Sequence, residues 1–262
     1  MRITLFTSNN NRHKYLINLL SNCCNQLYVV QECKTLFTGK NDIHYQKSEI
    51  IEKYFTNVQK AQNKFFKTKY VNTKRGNIKT LPIVFGEVNN LSLSDLEDCL
   101  KSDLYIVFGS SYLKGFLVDF LVSNKSINIH AGVSPYYRGT DSNFWALFDD
   151  NPHLVGATIH MLSKGLDNGP ILYHAMSNIK TNPFEYAMST VKSAFHSLAE
   201  RITNKSIFEI NPEIQNKDKL IRYTKKIEFN DEVVKKFFNK KINLKSKSID
   251  NSYLKDPYYL DE

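Results

Sequence analysis

What most constrains this chain is the order in which its hydrophobic period changes. RITLFTS (2–8) reads as a buried strand. NNNRHKYLINLL then turns to helical spacing through Tyr15, Leu16, Leu19 and Leu20, and QLYVVQE (26–32) returns to a strand. A strand, a helix and a strand packed into so few residues require a parallel pair joined by a right-handed crossover, so the chain opens as a Rossmann-like sheet.

The alternation continues. Ile50, Ile51, Tyr54, Phe55, Val58, Ala61 and Phe65 predict an amphipathic helix over 46–66, with lysines on its other face. Strands are expected at TLPIVFG (80–86), DLYIVFGSS (103–111) and SINIH (126–130), with a serine-capped helix over 92–100 and a short helix over 114–122. The loop AGVSPYYRGT leads into a helix over 141–149, capped by Asp141 or Ser142. LVGATIHML (154–162) and GPILYHAM (169–176), separated by SKGLDN, predict a late β-hairpin, and a helix near 183–203 closes the pattern. The fold class is therefore α/β, a mostly parallel Rossmann-like sheet with a late hairpin. The first domain covers 1–211, and 212–262 is a C-terminal extension packing on it.

At 262 residues, 42% hydrophobic and 23% charged, the chain is long enough to bury a substantial core. Its longest apolar run, FLVDFLV (116–122), is interrupted by Asp119, so neither a signal peptide nor a membrane helix is predicted. Cys23, Cys24, Cys33 and Cys99 form no CxxC pair and have no histidine at metal-site spacing, which predicts reduced thiols, no metal and a cytoplasmic location. The net charge of +9 is unevenly spread: residues 34–80 hold 11 Lys or Arg against 3 acids, whereas residues 81–211 hold 9 against 13. A local basic face admits nucleic acid, anionic lipid or a phosphate-bearing small molecule. It equally admits a solvated lysine surface, because these lysines are dispersed.

Open parallel sheets place ligands beyond the C-terminal ends of their strands. Asn128 and His130, two apart at the end of SINIH, share one face of an extended chain, and Asp167 lies in the turn leaving ATIHML. An amide, an imidazole and a carboxylate meeting there form a workable acyl-transfer site. Asn128 would donate to a growing oxyanion, His130 would share that task or take a proton from an attacking amine, and Asp167 would orient the ring. Singly, each also has a structural reading, as an Asx turn, a loop cap or a satisfied histidine. His160, on an apolar strand, reads as packing, and His13, His44, His153, His174 and His196 have no comparable neighbours.

NIHAGVSPYYRG followed by GLDNGPIL resembles the folate-dependent formyltransferase family, whose signature stands here as Asn128, His130, Pro135, Gly139 and Asp167. The resemblance spans roughly 1–210 and is firmest over 103–176. It implies formyl transfer from N10-formyltetrahydrofolate to an amine, with Asn128, His130 and Asp167 as the catalytic trio. The folate would lie against Ser110, Ser111, Tyr112 and Leu113 and against the backbone near Gly165.

Departures from the relatives narrow the acceptor. TSNNNRH lacks the glycine of a glycinamide ribonucleotide phosphate loop. GVSP stands where the tRNA enzymes carry an SLLP-type sequence, and the first strand begins at residue 2, where formyltetrahydrofolate hydrolases carry a preceding regulatory domain. The chain is most similar to sugar N-formyltransferases of bacterial surface-polysaccharide (O-antigen) pathways. The expected acceptor is a nucleotide-linked amino sugar, first dTDP-4-amino-4,6-dideoxyglucose, second a GDP-sugar. Asn10, Arg12, His13, Lys14, Tyr137 and Arg138 are its candidate ligands. Arg12, His13 and Lys14 equally fit an ordinary polar turn, and Tyr223 and Phe229 fit either a base-stacking role or tail docking. Alternatives are a methionyl-tRNA formyltransferase-like enzyme and a non-catalytic nucleotide- or RNA-binding protein. A homodimer is left open, and no membrane partner is expected.

Overall fold

The computed structural model describes residues 1–40, 45, 47–244 and 251–260; His44, discussed above, lies outside them. In chain order the elements are β1 (Arg2–Ser8), α1 (Asn11–Ser21), β2 (Gln26–Cys33), α2 (Glu49–Phe65), β3 (Ile78–Val84), α3 (Leu93–Leu96), β4 (Leu104–Phe108), α4 (Gly115–Ser123) and β5 (Ile127–His130). There follow β6 (Tyr137–Gly139), α5 (Ser142–Phe148), β7 (Ala157–Met161), β8 (Ile171–Met176), α6 (Pro183–Thr203), β9 (Arg222–Thr224), α7 (Asp231–Asn239) and β10 (Tyr258–Tyr259).

Eight strands form one sheet in the order β10-β8-β7-β5-β4-β1-β2-β3. All neighbours pair in parallel except β7, which runs antiparallel to both β5 and β8, so the late hairpin is β7–β8. The sheet is Rossmann-like, as its opening βαβ unit requires. Strand order reverses beside β1: β2 and β3 lie on one side, β4 and β5 on the other. Such a reversal leaves a crevice at the C-terminal strand ends, because the loops after the two central strands depart to opposite faces. Here those loops begin at Asn9 and Gly109.

Alternation along the strands sorts the core into two layers. Leu5, Val29 and Ile106 face α1 and α6, packing with Leu16, Leu20, Phe195 and Leu198. Phe6, Val30 and Val107 point to the opposite face, against Leu96, Leu117 and Leu121. A third, aromatic cluster joins Tyr54, Phe144, Trp145, Phe229 and Phe237 beneath α2, α5 and α7. Their edge-to-face pairs, such as Tyr54–Phe229 at 5.0 Å between centroids, suit the quadrupoles of the rings.

The helix expected over 92–100 breaks after Leu96 and resumes as a single tight turn at Cys99–Lys101. Asp141 occupies the N-cap position of α5, its carbonyl accepting from Trp145 N, but at φ 58 its side chain makes no capping bond and turns to Tyr45 instead. In the tail, β9 pairs in parallel with β6, and Arg222 grips Asp149 through Nε (2.8 Å) and Nη2 (2.7 Å). That bidentate fork gives the pairing its register. Gly139, opposite Thr224 at φ 93, has no room for a Cβ, which would collide with the Thr224 carbonyl. No helix among the described residues is long and apolar enough to cross a membrane.

Candidate active site

A cleft of about 940 Å³ opens at the strand reversal, near the upper end of the range typical of ligand sites (~300–1,000 Å³). Asn128 and His130 reach it from β5, and Asp167, at φ 51, from the turn after β7. The structure brings the three side chains together. His130 Nδ1 is 3.3 Å from Asp167 Oδ2, and Asn128 Nδ2 is 3.3 Å from Asp167 Oδ1. The Gly139 backbone N–H donates to Asp167 Oδ2 at 3.1 Å. The β5 alternation accounts for the first pair, since residues two apart project to one side. The turn after β7 leaves the sheet beside Ile127, at the start of β5, and folds back to bring Asp167 to both.

Burial and partners set the electrostatics. Burial drives His130 below the ordinary imidazole value, against the pull of Asp167. Burial alone would raise Asp167, yet His130, His160 and the Gly139 N–H outweigh it and hold the carboxyl below its usual range. The site therefore pairs an ionised carboxylate with a neutral imidazole, a combination suited to receiving one proton. Among the described residues, no three His, Cys, Asp or Glu are grouped as a metal site.

One end of the cleft carries Ser110, Ser111, Tyr112, Leu113 and Gly165, the residues expected near folate. Val107, Leu113, Val118 and Leu162 floor an apolar slot there. Tyr112 spans it, its hydroxyl 2.5 Å from the Lys164 carbonyl. Glu32, fully buried at the end of β2, holds the loop from below: it accepts from Ser111 N (2.5 Å), Ser111 Oγ (2.7 Å) and Gly86 N (2.8 Å).

At the other end stand Asn10, Arg12 and His13, together with Lys34, Tyr45, Asp141, Tyr223 and Lys226. Arg12 donates to Gln62 at 2.7 Å, and Lys226 lies 4.7 Å over the Tyr45 ring. Burial raises the Asp141 carboxyl despite the Tyr45 hydroxyl and the nearby cations. Tyr223 faces the cleft, whereas Phe229 is buried in the aromatic cluster.

Three sequence expectations need correction. Lys14 points away, its Nζ donating to the Lys69 carbonyl at the surface. Tyr137 is 1% exposed and directs its hydroxyl to Asp149 and Asn151. Arg138, the next residue on β6, is not on the cleft wall but lies 5.8 Å from the Tyr223 ring. His13 does line the cleft, and burial, then Arg12 and Lys34, push it well below the ordinary imidazole value. The reading of His160 as packing is incomplete as well. It is 1% exposed, yet it lines the cleft with Nε2 2.9 Å from Asn128 Nδ2.

Comparison with known proteins places this geometry. Residues 92–207 match the formyl transferase family model. The chain is 32% identical over 116 residues to the bifunctional polymyxin resistance protein ArnA of Wigglesworthia glossinidia brevipalpis, covering 43% of this chain and 17% of that protein. It is 33% identical over 95 residues to the methionyl-tRNA formyltransferase of Finegoldia magna, covering 36% of this chain and 29% of that protein. The matches thus span less than a third of either curated relative. An N-formyltransferase from Helicobacter canadensis, solved with folinic acid and dTDP-3-aminofucose, shares the fold at TM-score 0.51 and 18% identity, over 95% of this chain and 77% of that one. The matched segment, somewhat under half of the chain, contains the loop after β4, the β5 strand end and the turn bearing Asp167, so the part that carries the cleft trio is similar to the formyl transferase family.

Proposed function

We propose that the protein is a sugar N-formyltransferase, moving the formyl group of N10-formyltetrahydrofolate to the amine of a nucleotide-linked amino sugar. The observation that carries this reading is the convergence of Asn128, His130 and Asp167, from two separated stretches, on the middle of a two-ended cleft. The apolar slot beside Leu113 suits a flat pterin. The opposite end, with Arg12, Lys34 and Lys226 among aromatic rings, suits a diphosphate and base. The Helicobacter canadensis protein, solved with folinic acid and a dTDP-sugar, supports the same pairing of substrates by its fold.

In this reading the acceptor nitrogen attacks the formyl carbon, forming a C–N bond as negative charge grows on the formyl oxygen. The proton lost by the amine is taken into the His130–Asp167 gap. It then passes to the folate nitrogen as its bond to the formyl carbon breaks, so protons and charge balance. Asp167 keeps the imidazolium stable while it exists. Ser110, Ser111, Tyr112, Leu113 and Gly165 hold the donor, and Asn10 and Arg12 the acceptor. The catalytic domain of the proposal is 1–211, with 212–262 contributing Tyr223 and Lys226 to the acceptor end. A cytoplasmic enzyme of O-antigen synthesis, working as a homodimer on dTDP-4-amino-4,6-dideoxyglucose, completes it.

The test is incubation of the protein and N10-formyltetrahydrofolate with a panel of dTDP-, GDP- and UDP-linked amino sugars, read by mass spectrometry for a formyl adduct. The likeness to the Finegoldia magna enzyme favours a second acceptor, charged initiator tRNA. Formylation of that tRNA with no sugar product would replace the first reading.

A further inference from the structure

Asp141 departs from three local preferences at once. It stands at the N-cap of α5, where an aspartate ordinarily accepts from a backbone N–H of the first turn, yet its side chain makes no capping bond. Its φ of 58 puts a residue with a Cβ in the left-handed region. Its carboxylate lines the cleft, where burial raises it against the Tyr45 hydroxyl and the pull of Lys226, Lys34 and Arg12. Each feature costs stability, and a residue that gathers such costs on a cleft wall is placed for a ligand rather than for the fold. The carboxylate accepts from the Tyr45 hydroxyl at 3.4 Å to Oδ1 and 3.3 Å to Oδ2. An ionised carboxylate has about four lone-pair sites, so one long, shared bond leaves it able to accept more.

Its place in the chain limits what it can meet. Gly139, two residues earlier, donates its N–H to Asp167, the carboxylate beside His130. Two residues of chain reach at most about 7 Å, so Asp141 is anchored beside the trio, at a distance comparable with one sugar ring. The neighbouring cations suit phosphate, which only accepts; a carboxylate suits the opposite partner, an O–H donor. Resting on the formyl-transfer reading, we propose that Asp141 is a specificity-determining residue whose carboxylate accepts a hydroxyl hydrogen of the sugar that carries the reacting amine. Tyr45 orients the carboxylate, and Arg12, Lys34 and Lys226 favour its ionised form. An acceptor lacking that hydroxyl leaves a desolvated carboxylate without a partner and is rejected.

Asp141→Gly tests this, because glycine adopts the same backbone without strain and removes only the carboxylate. The probes are dTDP-4-amino-4,6-dideoxyglucose, or the GDP- or UDP-linked amino sugar that turns over best, together with analogues each lacking one ring hydroxyl. With the parent sugar, kcat/KM should fall about ten- to a hundredfold in Asp141→Gly, the loss expected for a hydrogen bond to a charged group. KM for the folate should be unchanged, and the thermal midpoint should match or exceed that of the wild type. One deoxy analogue should be a comparably poor acceptor for the wild-type protein and lose no more than about twofold further in Asp141→Gly, since the two changes remove the same contact. Asp141→Asn, which tolerates the left-handed backbone and keeps one acceptor oxygen, should retain more activity than the glycine variant. Wild-type turnover of every deoxy analogue at the parent rate, or an Asp141→Gly protein as active as the wild type, would overturn the proposal. So would a lowered midpoint with unaltered discrimination among the sugars, which would make Asp141 a structural residue. Absence of turnover by the wild-type protein with every sugar is a different failure: it removes the sugar-formylation reading and the proposal with it.

Discussion

His130 Nδ1 lies 3.3 Å from Asp167 Oδ2 while its Nε2 lies 3.0 Å from the Tyr137 carbonyl oxygen, so both ring nitrogens face acceptors. A neutral ring satisfies only one of them, and the unsatisfied gap is a ready place for the proton that the acceptor amine gives up once its nitrogen has attacked. Asp167→Asn keeps the shape but removes the charge that stabilises the protonated ring. Its turnover should fall by about 10²–10⁴-fold, with a thermal midpoint near that of the wild type. Full activity in this variant would remove Asp167 from the chemistry.

Gly139 serves Asp167 and the tail at once. Its N–H donates to the carboxylate, and its bare Cα lets the Thr224 carbonyl approach at φ 93. Gly139→Ala should cost about 1–3 kcal/mol in backbone strain, with the collision against Thr224 added. Denaturant unfolding would register the loss, and limited proteolysis should show cleavage within the tail. A variant as stable and protease-resistant as the wild type would contradict this account.

Glu32 makes a different prediction, because it touches no ligand. Three donors converge on its buried carboxylate and pin Ser111 at the end of the cleft proposed for folate. Glu32→Gln must turn an NH₂ group toward one of those donors. A loss of about 1.5–3 kcal/mol in stability is expected, as for hydrogen bonds to charged groups. KM for the folate donor should rise more than kcat falls. Steady-state kinetics with the donor varied would check it, and an unchanged KM would show that the loop does not depend on Glu32.

Acidification should destabilise the fold. Burial lowers His13, His130 and His174 in the folded chain from an ordinary value of 6.5. The unfolded chain therefore takes up protons as pH falls through that value while the folded chain does not, and stability present above it is lost below. Thermal midpoints measured from about pH 7.5 down to about pH 5.5 should decline. His174→Gln, which removes the ring that donates to Ser134 O and accepts from Lys255 N, should flatten the slope. A midpoint that rises on acidification would contradict the assignment of neutral buried rings.

Arg12 is the acceptor-side test. Its guanidinium is held by Gln62 on α2 and lines the end of the cleft opposite the apolar slot proposed for folate. Arg12→Met should raise KM for a nucleotide-linked acceptor about tenfold or more, the loss expected for a charge-assisted bond to phosphate. KM for the folate should not move. Equal effects on both substrates would place Arg12 in general folding rather than acceptor binding.

Much of the fold was legible because strands and helices announce themselves by local period, and the βαβ opening leaves one handedness. The grouping of Asn128, His130 and Asp167 was legible for a similar reason: two residues share a strand face, and the third sits in the turn of the adjoining hairpin. Lys14, Tyr137 and Arg138 were misjudged because nearness in sequence to a loop says nothing of which way a side chain turns. Asp141 stands at the N-cap position its neighbours imply, but its positive φ swings the carboxylate toward Tyr45 rather than toward the helix.

By itself the order of residues determined the alternation of elements, the strand-end location of the chemistry and the short list of groups able to perform it, since these follow from local geometry and side-chain type. Only the tertiary structure decided that His160 faces Asn128, that Glu32 supports the loop at Ser111 and that β9 completes the wall beside Gly139. Each joins residues brought together by strand register, loop placement or the docking of the tail. Register is a property of the whole sheet, reached when all its apolar faces are buried together, and no single stretch of sequence contains it.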